Sequence, residues 1–256
     1  MMQDYVRRLR SDGYCIVRDV LDARRVREVR EALADAAEES ERRGVPTFIP
    51  GLDHNSANVR VFNLIDLNPL FRELIMHPTA LELVHGLLGE HYMISNFTAN
   101  IARPGSRSMN VHSDQAIVIP EPWEQPWALN VIWCLDDVTA ENGGTLYLPG
   151  SHQIQRLEEL PPDIQSRMVP FTAPAGSIIG MEGRMWHTSG PNTTVDQERA
   201  LLFGYYTMDF VRPQVNWNAQ LSPSTIRSLP AELFERLGLG PTGNVRHGST
   251  LTLIAD

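Results

Sequence analysis

Apolar positions in the first third of the chain recur every three or four residues, the period of a helix buried along one side. Met1 to Ser11 reads as a short helix, and Gly13-Tyr14-Cys15-Ile16-Val17 as a compact apolar strand. A longer helix follows, with Val26, Val29, Leu33, Ala36 and Ala37 on one narrow stripe. Asp22 suits its N-cap, Arg42 and Arg43 suit the negative end of its macrodipole, and Gly44 suits the position just past its end. The remaining charges on it form a solvated face. Arg60 to Leu64 reads as a strand. Pro69 to Met76 and Pro78 to Leu88 read as helices that start on proline, with Gly89 ending the second.

From His91 the period shortens. Strand-like runs cover Tyr92–Ile101, Ser108–Ile119, Trp127–Leu135, Thr145–Leu148, Ser177–Met181 and Ala200–Thr207. Turn signals separate them, among them Arg103-Pro104-Gly105, Asn142-Gly143-Gly144 and Pro174-Ala175-Gly176. Short strands between Gly/Pro turns predict a sandwich or barrel. Ser222 to Leu237 returns to helix, with Pro223 and Pro230 at two starts, and the last residues read as a tail. The predicted organisation is one domain over 1–256: a mostly helical flank (1–90), a β core (91–210), and a C-terminal helical segment with its tail (211–256). Two irregular stretches, Val45–Asn58 with Phe48 and Pro120–Pro126, have the composition of lid segments.

Composition narrows the function. The 256 residues carry a net charge of −9, which gives no electrostatic grip on nucleic acid. Only two cysteines occur, Cys15 and Cys134, so a reducing cytoplasm is the expected compartment. The start, Met-Met-Gln-Asp-Tyr-Val-Arg-Arg, has no apolar signal core, and no run of about 18 apolar residues predicts a membrane span. The expected partner is a small molecule, with the chain acting as a monomer or homodimer.

The candidate chemistry begins at Met109-Asn110-Val111-His112-Ser113-Asp114-Gln115. On a strand, His112 and Asp114 share a face and converge on one point. Together they are two thirds of a facial site in which two His and one carboxylate hold Fe(II) and leave positions open. The pair alone is a weak signal. A later strand must add the third ligand, and His187, 73 residues beyond Asp114, follows the apolar run Ser177–Met181. Arg199 stands 12 residues further on, before another strand.

These features in this order resemble the phytanoyl-CoA dioxygenase-like branch of the Fe(II)/2-oxoglutarate oxygenases. The resemblance rests on His112-Ser113-Asp114, Trp133-Cys134-Leu135-Asp136-Asp137, Glu141-Asn142-Gly143-Gly144-Thr145 and Pro149-Gly150-Ser151-His152. It continues through His187 with Ser189, Arg199, Arg212-Pro213-Gln214 and Asn216-Trp217. It implies a mainly β fold: a double-stranded β-helix (a jelly-roll, cupin-like) with flanking N-terminal and C-terminal helices.

It further implies that His112, Asp114 and His187 ligate Fe(II), with 2-oxoglutarate and O2 as co-substrates. Arg199, a permanently charged planar fork, pairs the remote carboxylate of 2-oxoglutarate with Ser189 beside it. The metal-side carboxylate falls to Asn110 first and Thr145 second, since Ser113 replaces the Gln that better-known members carry in the metal motif. Phe48, Asn63, Met109, Trp127 and Tyr205 are the candidate pocket lining. His152 belongs to a motif that is structural in the family. Related halogenases have Gly or Ala where Asp114 stands, so the carboxylate here points to oxygenation.

The implied activity is oxidation, by default hydroxylation, of a small, partly apolar metabolite in natural-product biosynthesis or catabolism, releasing succinate and CO2. Two other classes remain: a non-catalytic jelly-roll that has kept the fold, and a Zn(II)-dependent cupin-like hydrolase or isomerase. Zinc leaves Arg199 without a purpose.

Overall fold

A computed structural model describes residues 2–240. The tail predicted beyond Leu237, with His247, falls almost wholly outside them. The first third forms helix α1 (Met2–Asp12), strand β1 (Tyr14–Val17), α2 (Ala23–Arg42), β2 (Asn58–Val61), α3 (Leu64–Leu67), α4 (Pro69–Ile75) and α5 (Pro78–Leu88). The core adds β3 (Tyr92–Ala102), β4 (His112–Ser113), β5 (Ala128–Cys134), β6 (Leu146–Tyr147), a short α6 (Ile164–Arg167), β7 (Val169–Pro170), β8 (Ile178–Glu182), β9 (Trp186–Thr188) and β10 (Arg199–Met208). Three short helices close the described chain: α7 (Trp217–Gln220), α8 (Pro223–Ser228) and α9 (Ala231–Arg236).

Local chemistry explains the helices. Asp22 caps α2, accepting from the Arg25 N–H at 2.7 Å, and Gly44 takes φ +76° just beyond it. The buried stripe of α2 is Val29, Ala32, Leu33, Ala36 and Ser40. Asn68 and His77 cap α4 and α5, each with proline in the first turn. The Ser222–Leu237 segment splits at Leu229-Pro230, where proline cannot continue the helix.

The strands form two antiparallel sheets, ordered β1-β8-β5-β10-β3-β2 and β4-β9-β6-β7, the two walls of a jelly-roll. Helical residues outnumber strand residues because the flank is long; the core itself is β. Alternation gives the large sheet two faces. Leu129, Val131, Trp133, Ala200, Leu202 and Tyr206 pack against the helices in the main core, which includes Leu33, Phe71 and Leu83. Ile132, Cys134, Ile179, Met181 and Leu201 face the other way and fill the closed end of the roll with Tyr147 and Phe171.

Two departures shape the site. The strand expected over Ser108–Ile119 shrinks to His112–Ser113. The Ser113 hydroxyl accepts from Ala116 N–H at 3.2 Å, and Ile117 N–H reaches Ser113 O at 3.2 Å, so the chain turns at Asp114. The strand expected over Arg60–Leu64 ends at Val61, because Asn63 is left-handed (φ 56°) and Leu64 starts a helix. A bulge in β3 has the opposite effect of a break: register runs from Tyr205↔Asn96 to Tyr206↔Ile94, leaving Ser95 as the extra residue. Ile94 therefore packs in the helix-side core while Asn96, Thr98 and Asn100 face into the roll.

Candidate metal centre

β4 and β9 are register partners, and His112 lies directly opposite His187. Their ring centroids are 4.3 Å apart. Each ring is set by the carbonyl two residues earlier: His112 Nδ1 lies 2.9 Å from Asn110 O, and His187 Nδ1 lies 3.0 Å from Met185 O. A carbonyl only accepts, so Nδ1 carries the proton and Nε2 keeps its lone pair. Both Nε2 atoms stand 3.8 Å from Asp114 Oδ1, and the three ligand atoms lie within 4.8 Å of one another. Burial, with His112 adding to it, lowers the His187 pKa; Asp114 opposes this. A neutral imidazole is what ligation needs.

Asp114 is not placed by strand alternation, since it lies past the end of β4. Two residues of the large sheet hold it. Asn130 Nδ2 donates to Asp114 Oδ2 at 3.0 Å, and the Tyr205 hydroxyl donates to Asp114 O at 3.0 Å. Burial, then Asp114, pushes the Tyr205 pKa up, which keeps the phenol a donor. The motif segments are braced as well. Met109 is clamped by Ser189 Oγ, which accepts from its N–H at 3.1 Å, and by Thr188 Oγ1, which donates to its carbonyl at 2.7 Å. Ser151, from the Pro-Gly-Ser-His turn, accepts from Trp186 N–H at 2.9 Å and so anchors the strand that carries His187. His152 is buried beneath Gly13, where a Cβ would strike its ring, and is no part of the triad.

The triad opens into a cavity of about 150 Å³. Arg199 lines it with only 1% of its surface exposed. Its Nη1 donates to Asn100 Oδ1 at 3.1 Å and its Nη2 to Gly143 O at 2.6 Å. Gly143 at φ +88° can turn that carbonyl inward, a conformation that disfavours other residues. Burial pulls the Arg199 pKa down to about 10, still cationic at neutral pH. Its Nε is buried without a partner. An unpaired, desolvated N–H on a cation is a socket for an anion. Arg60 lines the same cavity and faces Asn100 in register. It is held by Asp53, whose fully buried carboxylate takes Nε at 2.7 Å and Nη2 at 2.8 Å. Two guanidinium groups beside two imidazoles and a carboxylate fit a dicarboxylate chelated at a divalent metal.

Of the residues singled out in the sequence, Thr145, Ser189, Met109 and Tyr205 line the cavity. Other predicted residues do not reach it. Asn110 is exposed because the strand that would have aimed it inward does not form; it contributes its carbonyl to His112 instead. Phe48 is half-buried away from the lining; its loop meets the site through Asp53, which holds Arg60, and through Asn58, whose Oδ1 accepts from Asn100 Nδ2 at 3.5 Å. Asn63 bonds Gln220 at 2.9 Å, and Trp127 packs edge-on against Phe210 with centroids 5.2 Å apart. Trp123, from the other expected lid, belongs to a separate apolar cluster with Trp186 and Leu148. Sequence reading missed Arg60, Asn96, Asn100 and Asn130. Arg60 and Asn100 alternate with apolar neighbours, a detectable signal; Asn96 depends on the bulge and carries none. The Asp136-Asp137 and Asn142 motifs prove structural: Asp136 accepts from Ala200 N–H at 2.7 Å, and Asn142 ties Asp137 O at 2.6 Å.

The family model for phytanoyl-CoA dioxygenase (PhyH) matches residues 9–200. The chain belongs to the phytanoyl-CoA dioxygenase family. It is a dioxygenase of the non-haem Fe(II)/2-oxoglutarate type, and its His–Asp–His site fits iron. Dioxygenase af480 of Aspergillus fumigatus is 46% identical over 255 residues, covering 100% of this chain and 82% of that one. Dioxygenase andF of Emericella variicolor is 25% identical over 224 residues, covering 82% and 75%. Among solved structures, the non-haem α-ketoglutarate-dependent epimerase SnoN of nogalamycin biosynthesis superposes with a TM-score of 0.67 at 25% identity, over 98% of this chain and 93% of that one. Among the described residues no helix is long and apolar enough to cross a membrane.

Proposed function

We propose that this enzyme hydroxylates a small or mid-sized, partly apolar metabolite, with 2-oxoglutarate decarboxylated to succinate and CO2. The observation that carries the reading is Arg199, buried in the triad's cavity with Nε unpaired. When bound, Fe(II) and 2-oxoglutarate supply a two-electron oxidant from O2, one oxygen going to succinate and the other to the substrate. Within this reading His112 Nε2, His187 Nε2 and Asp114 Oδ1 hold the metal. Arg199 and the Ser189 hydroxyl hold the remote carboxylate, and Arg60 and Thr145 are the groups at hand for the near one. The cavity lining bears amides, among them Asn96, Asn100 and Asn130, beside the apolar Met109 and Phe203. A mixed lining of this kind suits a substrate that is partly apolar and carries polar groups. The relatives' place in natural-product biosynthesis supports a tailoring role.

A zinc-dependent or non-catalytic jelly-roll has no use for two cavity guanidinium groups. The test is a metabolite screen read as O2-dependent succinate release by the Fe(II)-loaded protein. A hit with stoichiometric hydroxylated product is expected. A protein that binds zinc in preference, with no affinity for 2-oxoglutarate, would overturn the proposal.

A further inference from the structure

We infer that Asn130 is a positioning residue that leaves Asp114 a single oxygen for the metal, an inference that rests on the iron reading above. Asp114 Oδ1 faces both imidazoles at 3.8 Å, while Oδ2 is taken by Asn130 Nδ2 at 3.0 Å. The amide orientation is decided by chemistry: an ionised carboxylate only accepts, so the NH2 must face it. Asn130 Oδ1 is then stranded without a partner, as the structure shows. An orphaned buried carbonyl is destabilising, so the donated bond to Asp114 is what holds the amide in this pose.

Asn130 cannot easily move. It is 6% exposed, in the middle strand of three, with Met181 and Tyr205 as register partners on either side. Tyr205 is the residue that binds the Asp114 carbonyl. One cross-strand pair therefore fixes both the backbone and one carboxylate oxygen of a ligand that sits in a turn. The consequence follows from counting positions. A facial triad leaves three, two for a chelating 2-oxoglutarate and one for O2. A carboxylate bound through both oxygens would take one of them. The Asn130 N–H competes for Oδ2 and keeps that position open.

The experiment uses the full chain loaded with Mn(II), with aspartate carrying ¹³C in its side-chain carboxyl. The metal-minus-apo infrared spectrum of the wild type is expected to show the wide separation of antisymmetric and symmetric carboxylate stretches that marks one-oxygen ligation. In Asn130→Leu the separation should narrow. Mn(II) affinity should hold, because the freed Oδ2 itself becomes a donor, while 2-oxoglutarate affinity of the Mn(II)-loaded protein falls about tenfold or more as that oxygen competes for a chelating position. Asn130→Ser, too short to reach Asp114, should show the same split if the leucine variant does not fold. A narrow separation in the wild type, or unchanged 2-oxoglutarate affinity in the variants, would overturn the inference. A merely structural role would lower Mn(II) affinity and thermal stability together and leave the stretches where they were. Wild-type protein that binds neither Mn(II) nor 2-oxoglutarate would overturn the iron reading itself, and is thereby distinguished from failure at Asn130.

Discussion

His112 and His187 stand opposite each other across β4 and β9, each ring oriented by the carbonyl two residues before it. The pairing makes the site two-sided: one ligand comes with the turn that carries Asp114, the other with an independently braced strand. Removing His187 leaves too few donors. His187→Ala should abolish stoichiometric Fe(II) binding and turnover, while Asp114→Ala, which leaves the two-His set that halogenases use with chloride, should weaken Fe(II) binding and abolish oxygenation, with the fold retained in both. Metal analysis after gel filtration checks this, and full iron occupancy with unchanged turnover in the His187 variant would remove the triad assignment.

Arg199 should matter for the co-substrate and not for the metal. Breaking a buried Arg–carboxylate pair costs about 3–5 kcal/mol, part of it from the stranded charge. Arg199→Ala should therefore raise the KM for 2-oxoglutarate at least about a hundredfold, with Fe(II) affinity preserved. Steady-state kinetics across 2-oxoglutarate concentrations decides it, and an unchanged KM would assign the role elsewhere.

Arg60 joins stability to function through Asp53, whose carboxylate is fully buried. Arg60→Met strands that charge, so the Tm should fall by roughly 10 °C. Adding Asp53→Leu should restore most of the Tm but not the 2-oxoglutarate KM, because the cavity still lacks its second guanidinium. Recovery of both by the double variant would show that Arg60 is only structural.

Asp114 also bears on the reaction type. By the family resemblance its carboxylate stands where halogenases leave room for chloride, so the product should gain oxygen or unsaturation and never chlorine, even in high chloride. Mass spectrometry under ¹⁸O2 should find one ¹⁸O in succinate, since decarboxylation inserts one atom of O2 there. A chlorinated product, or succinate without the label, would contradict the assignment.

Much of this was legible in residue order, because the relevant physics is local. Asp22, Asn68 and His77 cap the helices they precede through bonds spanning two or three residues. His112, Asp114, His187 and Arg199 stand out by residue type and sequence order; alternation and Gly/Pro turns point to a sandwich or barrel, and the family resemblance implies the jelly-roll. The sequence alone thus determined the helical flank and the β core, and pointed to the candidate ligand set. What it could not determine depends on chain segments far apart. Tyr205 reaches Asp114 across 91 residues and Arg199 reaches Asn100 across 99. Ser95 shifts β3 by one residue and so turns Asn96 toward the cavity. Ser113 draws the chain into a turn that ends the strand after it, and the strand does not reach back to Asn110, which stays exposed. Strand alternation has a period of two, so one extra residue or one early turn reverses which side chains face inward. Only the tertiary structure, where those turns and bulges are set by partners from other strands, decided the walls of the site.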